Sequence, residues 1–158
     1  MKAWTVIPDA PWRVAIREVP PPIARVNEAL VSVVAFGLDR DDVDRLCQQT
    51  ESWIPGRGVA GLVLQAAADG SGPPRGARVV GLVDGGAWAE RAAIPTAALT
   101  VVPPEVTLAQ AAAALGEEAK RDWQTRPWDD LHGALDALDA RSCERIVLCI
   151  PSGDVPED

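Results

Sequence analysis

The run Ala29–Phe36 (ALVSVVAF) constrains the fold more than any other stretch of this chain. It is short, β-branched and almost wholly apolar, the pattern of a strand covered on both faces. It is also one of a series. Lys2–Ile7 and Arg13–Val19 read as an opening hairpin, with Pro8, Asp9 and Pro11 at the turn. Val59–Ala67 and Ala77–Val83 are two further strands, joined through the turn-rich Asp69-Gly70-Ser71-Gly72-Pro73-Pro74. Ala87–Ile94 and Leu99–Val102 complete the set. Strands spaced this closely leave no room for helices between them, so a barrel or sandwich is expected rather than alternating βαβ units.

Helical signals are few. Asp39–Cys47 is polar, with Val43 and Leu46 three apart, and predicts one or two turns. Thr107 and Gln110 form a capping box ahead of an alanine-rich run to Leu115. A later helix starts near Asp129 or Asp130 and carries Leu131, Leu135 and Leu138 on one stripe. Arg145–Ile150 is the last strand, and residues 152–158 read as a frayed acidic tail.

With 158 residues, 47% of them hydrophobic, the chain fits a single domain. No apolar run reaches the ~20 residues that span a bilayer, and the N-terminus lacks the apolar stretch of an export signal. A net charge of −8 opposes binding to nucleic acid, which needs clustered cations. Cys47, Cys143 and Cys149 form no CxxC pair, which fits reduced thiols and a cytoplasmic setting.

The order of the segments resembles the quinone-oxidoreductase branch of the medium-chain dehydrogenase/reductase family. Met1-Lys2-Ala3 opens such chains. "VNEALVSVVAFGLDRDDVDRL" resembles the family's strand, Gly-Val-Asn and short helix. "IPGRGVAGLV" resembles its Pro-Gly-(His/Phe)-Glu-x-x-Gly segment, and "GARVVGLVDGGAWAERAAIP" its Gly-Asp-Arg-Val and Gly-x-x-Ala-Glu strands. "VPPEVTLAQAAAALG" resembles the stretch that leads into the coenzyme domain, and "PWDDLHGALDALDARSCERIVLCI" the helix and strand that close the catalytic domain. The resemblance implies a mainly β, α+β fold: a GroES-like, partly open barrel over residues 1–151. Residues 1–116 form its body, 117–126 join in place of the Rossmann coenzyme domain, and 127–151 close it.

The departures bear on function. Zinc-bearing members carry a Cys and a His-Glu pair where this chain has Asp39, Arg57 and Gly58, and a guanidinium cannot ligate zinc. The spaced glycines Gly70, Gly72 and Gly76 run into Pro73-Pro74 rather than a helix, so they read as a hairpin turn and not a dinucleotide fingerprint. No cofactor and no metal are therefore expected. Baring roughly 300 Å² of apolar interdomain surface would cost about 7 kcal/mol at ~25 cal/mol/Å², comparable with the whole stability of a domain. Cover is expected either from the joining segment, with Trp123 and Trp128 as plugs, or from a homodimer through that face. Both indoles read equally well as core residues of the closing helix.

The resemblance places a reaction cleft at Asp39, Arg40, Asp42 and Arg57, with Cys47, Trp53 and Trp88 as further candidate lining. In the functional reading, Asp39 accepts a proton and Arg57 stabilises an anion or enolate. In the plainer reading, Asp39 and Arg57 are a salt bridge filling the former metal position. Asp41, Asp42 and Asp44 read as a solvated face, with Asp42 also able to hold the loop through backbone bonds. His132 reads as a solvent-facing helical residue, although a Cys47–His132 pair stays open. Cys149 reads as a core thiol. The function implied is a cofactor-independent cyclase, isomerase or lyase acting on a hydrophobic carbonyl or polyketide-like small molecule of natural-product biosynthesis. The alternative is a non-catalytic binding or protein-interaction module; an NADPH-dependent quinone reductase ranks last.

Overall fold

The computed structural model describes residues 1–48, 53–115, 123–141 and 145–151. The expected tail at 152–158, most of the joining segment and Cys143 lie outside the described residues. The strands are β1 (Lys2–Val6), β2 (Val14–Glu18), β3 (Glu28–Asp39), β4 (Gly58–Gln65), β5 (Arg78–Leu82), β6 (Arg91–Pro95), β7 (Leu99–Val101), β8 (Trp123–Pro127) and β9 (Arg145–Cys149). The helices are α1 (Arg40–Leu46), α2 (Leu108–Ala113) and α3 (Leu131–Asp139). β1 and β2 pair as the expected hairpin. The other strands form one mixed sheet in the order β7-β5-β4-β3-β9-β8, and β6 also pairs with β3. The sheet is not closed into a barrel.

β3 organises the molecule. One edge pairs with β4. The other edge takes β6 along Glu28–Ser32 and β9 along Ala35–Asp39. The expectation that Ala29–Phe36 is covered on both faces needs correction: Ala29, Val31 and Val33 are buried, whereas Leu30, Ser32 and Val34 between them are half-buried. A register shift against β4 between Val33 and Ala35 then changes the alternation. Val31 and Val33 face the main core, and after the shift Phe36 and Leu38 do. Ala35 falls instead on the opposite face, in a second cluster under α2. Gly61 sits at this irregularity, and a Cβ there would overlap the Ser32 carbonyl.

The two faces are covered differently. The main core takes Trp4, Phe36, Trp88 and the α3 stripe Leu131, Leu135 and Leu138, the last three at most 1% exposed. The second cluster is built from small residues, Ala35, Ala60 and Ala111–Ala113, which let α2 come close to the sheet. A Cβ on Gly37 would already lie 3.3 Å from the Ala112 carbonyl oxygen. The α2 capping box forms as expected, with Gln110 N–H to Thr107 Oγ1 at 3.1 Å and Thr107 N–H to Gln110 Oε1 at 2.9 Å.

The C-terminal part supplies a device that strand spacing did not predict. β8, α3 and β9 form a βαβ unit whose two strands pair in parallel. The described part of the expected joining segment is therefore a sheet strand. Trp123 packs on the second cluster, while Trp128 belongs to the main core and accepts the Trp4 indole N–H on its carbonyl at 3.0 Å. The glycine-rich stretch after β4 is a hairpin turn into β5, with Gly70, Gly72 and Gly76 at positive φ. Because the Gly61 contact is with backbone, Gly61→Ala should lower stability by about 1–3 kcal/mol, read as a reduced urea midpoint at unchanged slope.

Candidate functional site

Asp39 ends β3 and starts α1. As N-cap its carboxylate accepts from the backbone N–H groups of Asp41 and Asp42, and Asp42 Oδ2 returns the bond to Asp39 N–H at 2.9 Å. This reciprocal cap explains why the polar stretch breaks from strand to helix at that point. It also turns the Asp42 side chain back over the helix start, into a recess shared with the segment 53–57 and the turn before Trp88.

The recess has a volume of about 20 Å³, room for about one water. Asp42, Arg57, Trp53 and Trp88 all line it, together with Arg45 and Asp84. Burial pushes the Asp42 carboxyl up from the ordinary 3.8 to about 7, and the negative charge of Asp39 pushes the same way. The Asp39 N–H, Arg57 and Arg45 pull in the opposite direction without cancelling the rise. Trp88 is fully buried and lies over Phe36, with ring centroids 6.2 Å apart and an interplanar angle of 26°. Its indole N–H is buried and has no hydrogen-bond partner. Gly56, at φ 97°, lies against that N–H edge, where a Cβ would overlap the indole. Trp53 is 39% exposed, stands against Gly85, and forms the outer wall.

Three expected members of the cleft are placed elsewhere. Asp39 pairs with Arg145 at 3.1 Å, not with Arg57. The cause is the β3 register shift, which leaves Asp39 on the α2 side, directly opposite Arg145 in the β3–β9 ladder. Arg40 turns away and donates to the carbonyls of Leu138 and Asp139 at the end of α3, both at 3.3 Å. Cys47 is exposed at the C-cap of α1 and does not line the recess. His132 is not solvent-facing: its Nε2–H donates to the Val14 carbonyl at 2.8 Å and its ring meets Trp4 edge-on. Asp41 and Asp44 lie on the exposed face, as expected. Cys149 is half-buried, and burial raises its thiol pKa.

Sequence reasoning missed Arg45, Asp84 and Arg145. Arg45 had a usable signal, because it lies three residues after Asp42 on one helix face. Arg145 is 6% exposed and donates to the carbonyls of Ala113 and Leu115 at the end of α2 as well as to Asp39. A charge opening an apolar strand offers no hint of three such partners. Among the described residues, no group of three or more His, Cys, Asp or Glu is placed to hold a metal, and no helix is long and apolar enough to cross a membrane.

An open mixed sheet with a helix on each face and a closing βαβ unit defines a GroES-like α+β domain. Comparison with solved structures specifies it further. A probable oxidoreductase from Mycobacterium abscessus is 26% identical with a TM-score of 0.67, covering 79% of this chain and 46% of that one. The Escherichia coli quinone oxidoreductase solved with NADPH has a TM-score of 0.68 at 18% identity, covering 79% and 44%. An alcohol dehydrogenase superfamily protein from Novosphingobium aromaticivorans has a TM-score of 0.66 at 21% identity, covering 89% and 51%. The fold is thus that of the medium-chain dehydrogenase/reductase group, and the chain spans about half the length of the structures it matches. No protein-family model and no curated protein sequence matches it.

Two outcomes follow from this geometry. Arg145→Met leaves Asp39 without its partner and should cost about 3–5 kcal/mol in chemical denaturation. Asp42 keeps its proton in the folded chain at pH values where the unfolded chain has lost it. Its contribution to stability is therefore greatest below pH 3.8 and is lost as the pH rises toward about 7, with a slope approaching ~1.4 kcal/mol per pH unit. Asp42→Asn, which can still accept the Asp39 N–H, should flatten this dependence, and its melting temperature should gain on the wild type between pH 5 and 8.

Proposed function

We propose that this chain is a coenzyme-independent acid–base enzyme of isomerase, cyclase or lyase type, acting on a hydrophobic carbonyl compound such as a polyketide-like intermediate. One observation carries the reading: a carboxyl group with a pKa of about 7 beside Arg57, in a recess walled by Trp53 and Trp88. A group so poised can give and take protons near neutral pH. The residues that matter are accordingly Asp42 and Arg57, with Asp39 holding Asp42 in place. No hydride donor enters the scheme. Residues 114–130, which link α2 to α3, are too few for even the ~30-residue βαβ unit of a coenzyme domain, and we take them to stand in its place. Free thiols at Cys47 and Cys149 suit a reducing cytoplasm.

An isomerisation would run as follows. Asp84, exposed at the recess mouth, takes a proton from the carbon beside the carbonyl. The C–H electron pair becomes a C=C bond, the carbonyl π pair moves to oxygen, and Asp42 supplies the proton that oxygen takes. With a β,γ double bond in the substrate, Asp84 then gives its proton to the γ carbon of the dienol, the O–H proton returns to Asp42 and the carbonyl re-forms, so the double bond has shifted with no net oxidation. Arg57 offsets the charge Asp42 acquires.

The small recess favours a second reading. With about 20 Å³ available, against ~300–1,000 Å³ in ordinary ligand pockets, the chain could be a non-catalytic module. Exposed Leu82 and Val101, on the neighbouring strands β5 and β7, would then meet a second copy of the chain.

Exchange of the α-protons of simple ketones in D₂O, followed by NMR without NADPH, separates the two. Acid–base catalysis predicts faster exchange with the wild type and a roughly 10²-fold loss in Asp42→Asn. Exchange no faster than in buffer, together with a dimer in sedimentation, selects the module.

A further inference from the structure

We propose that Arg145 is a positioning residue for the recess: from the end of α2 it fixes, through Asp39, both the orientation of the Asp42 carboxyl and the charge that carboxyl faces. Arg145 is not among the residues that line the recess, so it acts through its neighbour. The link deepens the acid–base reading and rests on it for its use in a reaction, but it makes a separate claim about how the carboxyl is held.

Three observations carry it. The two oxygens of Asp39 have different partners: Oδ1 accepts the Asp41 and Asp42 amides at 3.0 and 3.4 Å, and Oδ2 accepts from Arg145 Nη2 at 3.1 Å. With both oxygens committed the carboxylate is held from turning, and the Asp39 N–H in turn holds Asp42 Oδ2 at 2.9 Å. The guanidinium is itself anchored on its other side, where Nη1 donates to the carbonyls of Ala113, at 2.8 Å, and Leu115. The end of α2 has no slack there, since a Cβ on Gly37, two residues before Asp39, would lie 3.3 Å from the Ala112 carbonyl oxygen. Lastly, Arg145 is 6% exposed and its buried Nε has no partner, at a cost of about 1–3 kcal/mol. Apolar packing in place of a whole buried ion pair commonly gives equal stability, so a tie between strands does not by itself call for a cation.

What the cation adds is electrical. The charged groups facing Asp42 are Asp39 at the end of β3, Arg45 on α1, Arg57 ahead of β4 and Asp84 after β5. Arg57 and Arg45 favour the ionised carboxylate, and the charge of Asp39 opposes them. Arg145 governs how much of that opposing charge is felt. Paired, Asp39 and Arg145 form a dipole; without Arg145, a full negative charge stands at the helix start beside Asp42.

The reporter is the buried Nε–H of Arg145 in ¹H–¹⁵N spectra of the intact chain between pH 5 and 9, assigned through Arg145→Lys. In the wild type this cross-peak should move with the midpoint read at the Asp42 carboxyl by ¹³C labelling of aspartate, and Asp42→Asn should abolish the movement. Arg145→Gln should raise the proton affinity of Asp42 about threefold, and Arg145→Lys, which keeps the charge, should restore it. A residue that serves packing alone moves neither signal. If Arg145→Gln does not fold, the wild-type cross-peak and Asp42→Asn still decide the matter. An Nε–H cross-peak that stays in place across this range, or an Asp42 midpoint equal in wild type and Arg145→Gln, overturns the link. α-Proton exchange of ketones with a stationary Nε–H leaves the enzyme reading standing and removes the link; a moving Nε–H without exchange does the reverse.

Discussion

A buried guanidinium holds this domain together. Arg145 reaches from the first residue of β9 to the N-cap of α1 through Asp39, and to the end of α2 through the carbonyls of Ala113 and Leu115. A cation removed from water is tolerated only when most of its hydrogen bonds are returned, and here three acceptors from two distant segments meet Nη1 and Nη2, while the buried Nε has no partner. The positive charge also lies against the negative end of α2 and the acidic start of α1. Three pieces of chain that share no local sequence are thus fixed relative to one another. The recess depends on that arrangement, because Asp42 and Arg45 are carried by α1.

Much of the fold was legible because it rests on local rules. The opening hairpin, the glycine-rich turn after β4, the Thr107–Gln110 cap and the Leu131, Leu135, Leu138 stripe are each specified by residues a few positions apart. The exceptions involve partners far away. The resemblance makes residues 117–126 a joining segment, and nothing local marks the strand β8 that overlaps it; its place at the sheet edge comes from pairing with β9. His132 looked like a surface residue, since its helix shows a polar face there, yet that face meets β2.

The candidate site illustrates the same limit. A resemblance could indicate that Asp39, Asp42 and Arg57 lie in one region, but not which of them pair. One inserted residue in β3 settles that. By reversing the alternation after Val33, the irregularity directs Asp39 to Arg145 and leaves the recess to Asp42 and Arg57. The backbone requirement is met by Gly61, a residue with no side chain and no chemistry of its own. Arg40 follows the same logic, since its chain neighbour caps one helix while its own guanidinium closes the end of another.

The pairing of β9 with β3 has a consequence for biosynthesis. On the ribosome, the long third strand emerges about a hundred residues before the partner for its second half. During that interval, the edge from Ala35 to Asp39 has unsatisfied amides and carbonyls, and the Asp39 carboxylate has no counter-ion. Such an edge invites strand addition by any neighbouring nascent chain. The tight reciprocal cap at the start of α1, which can form as soon as its own few residues are out, would end that edge early and shorten the time it stays adhesive.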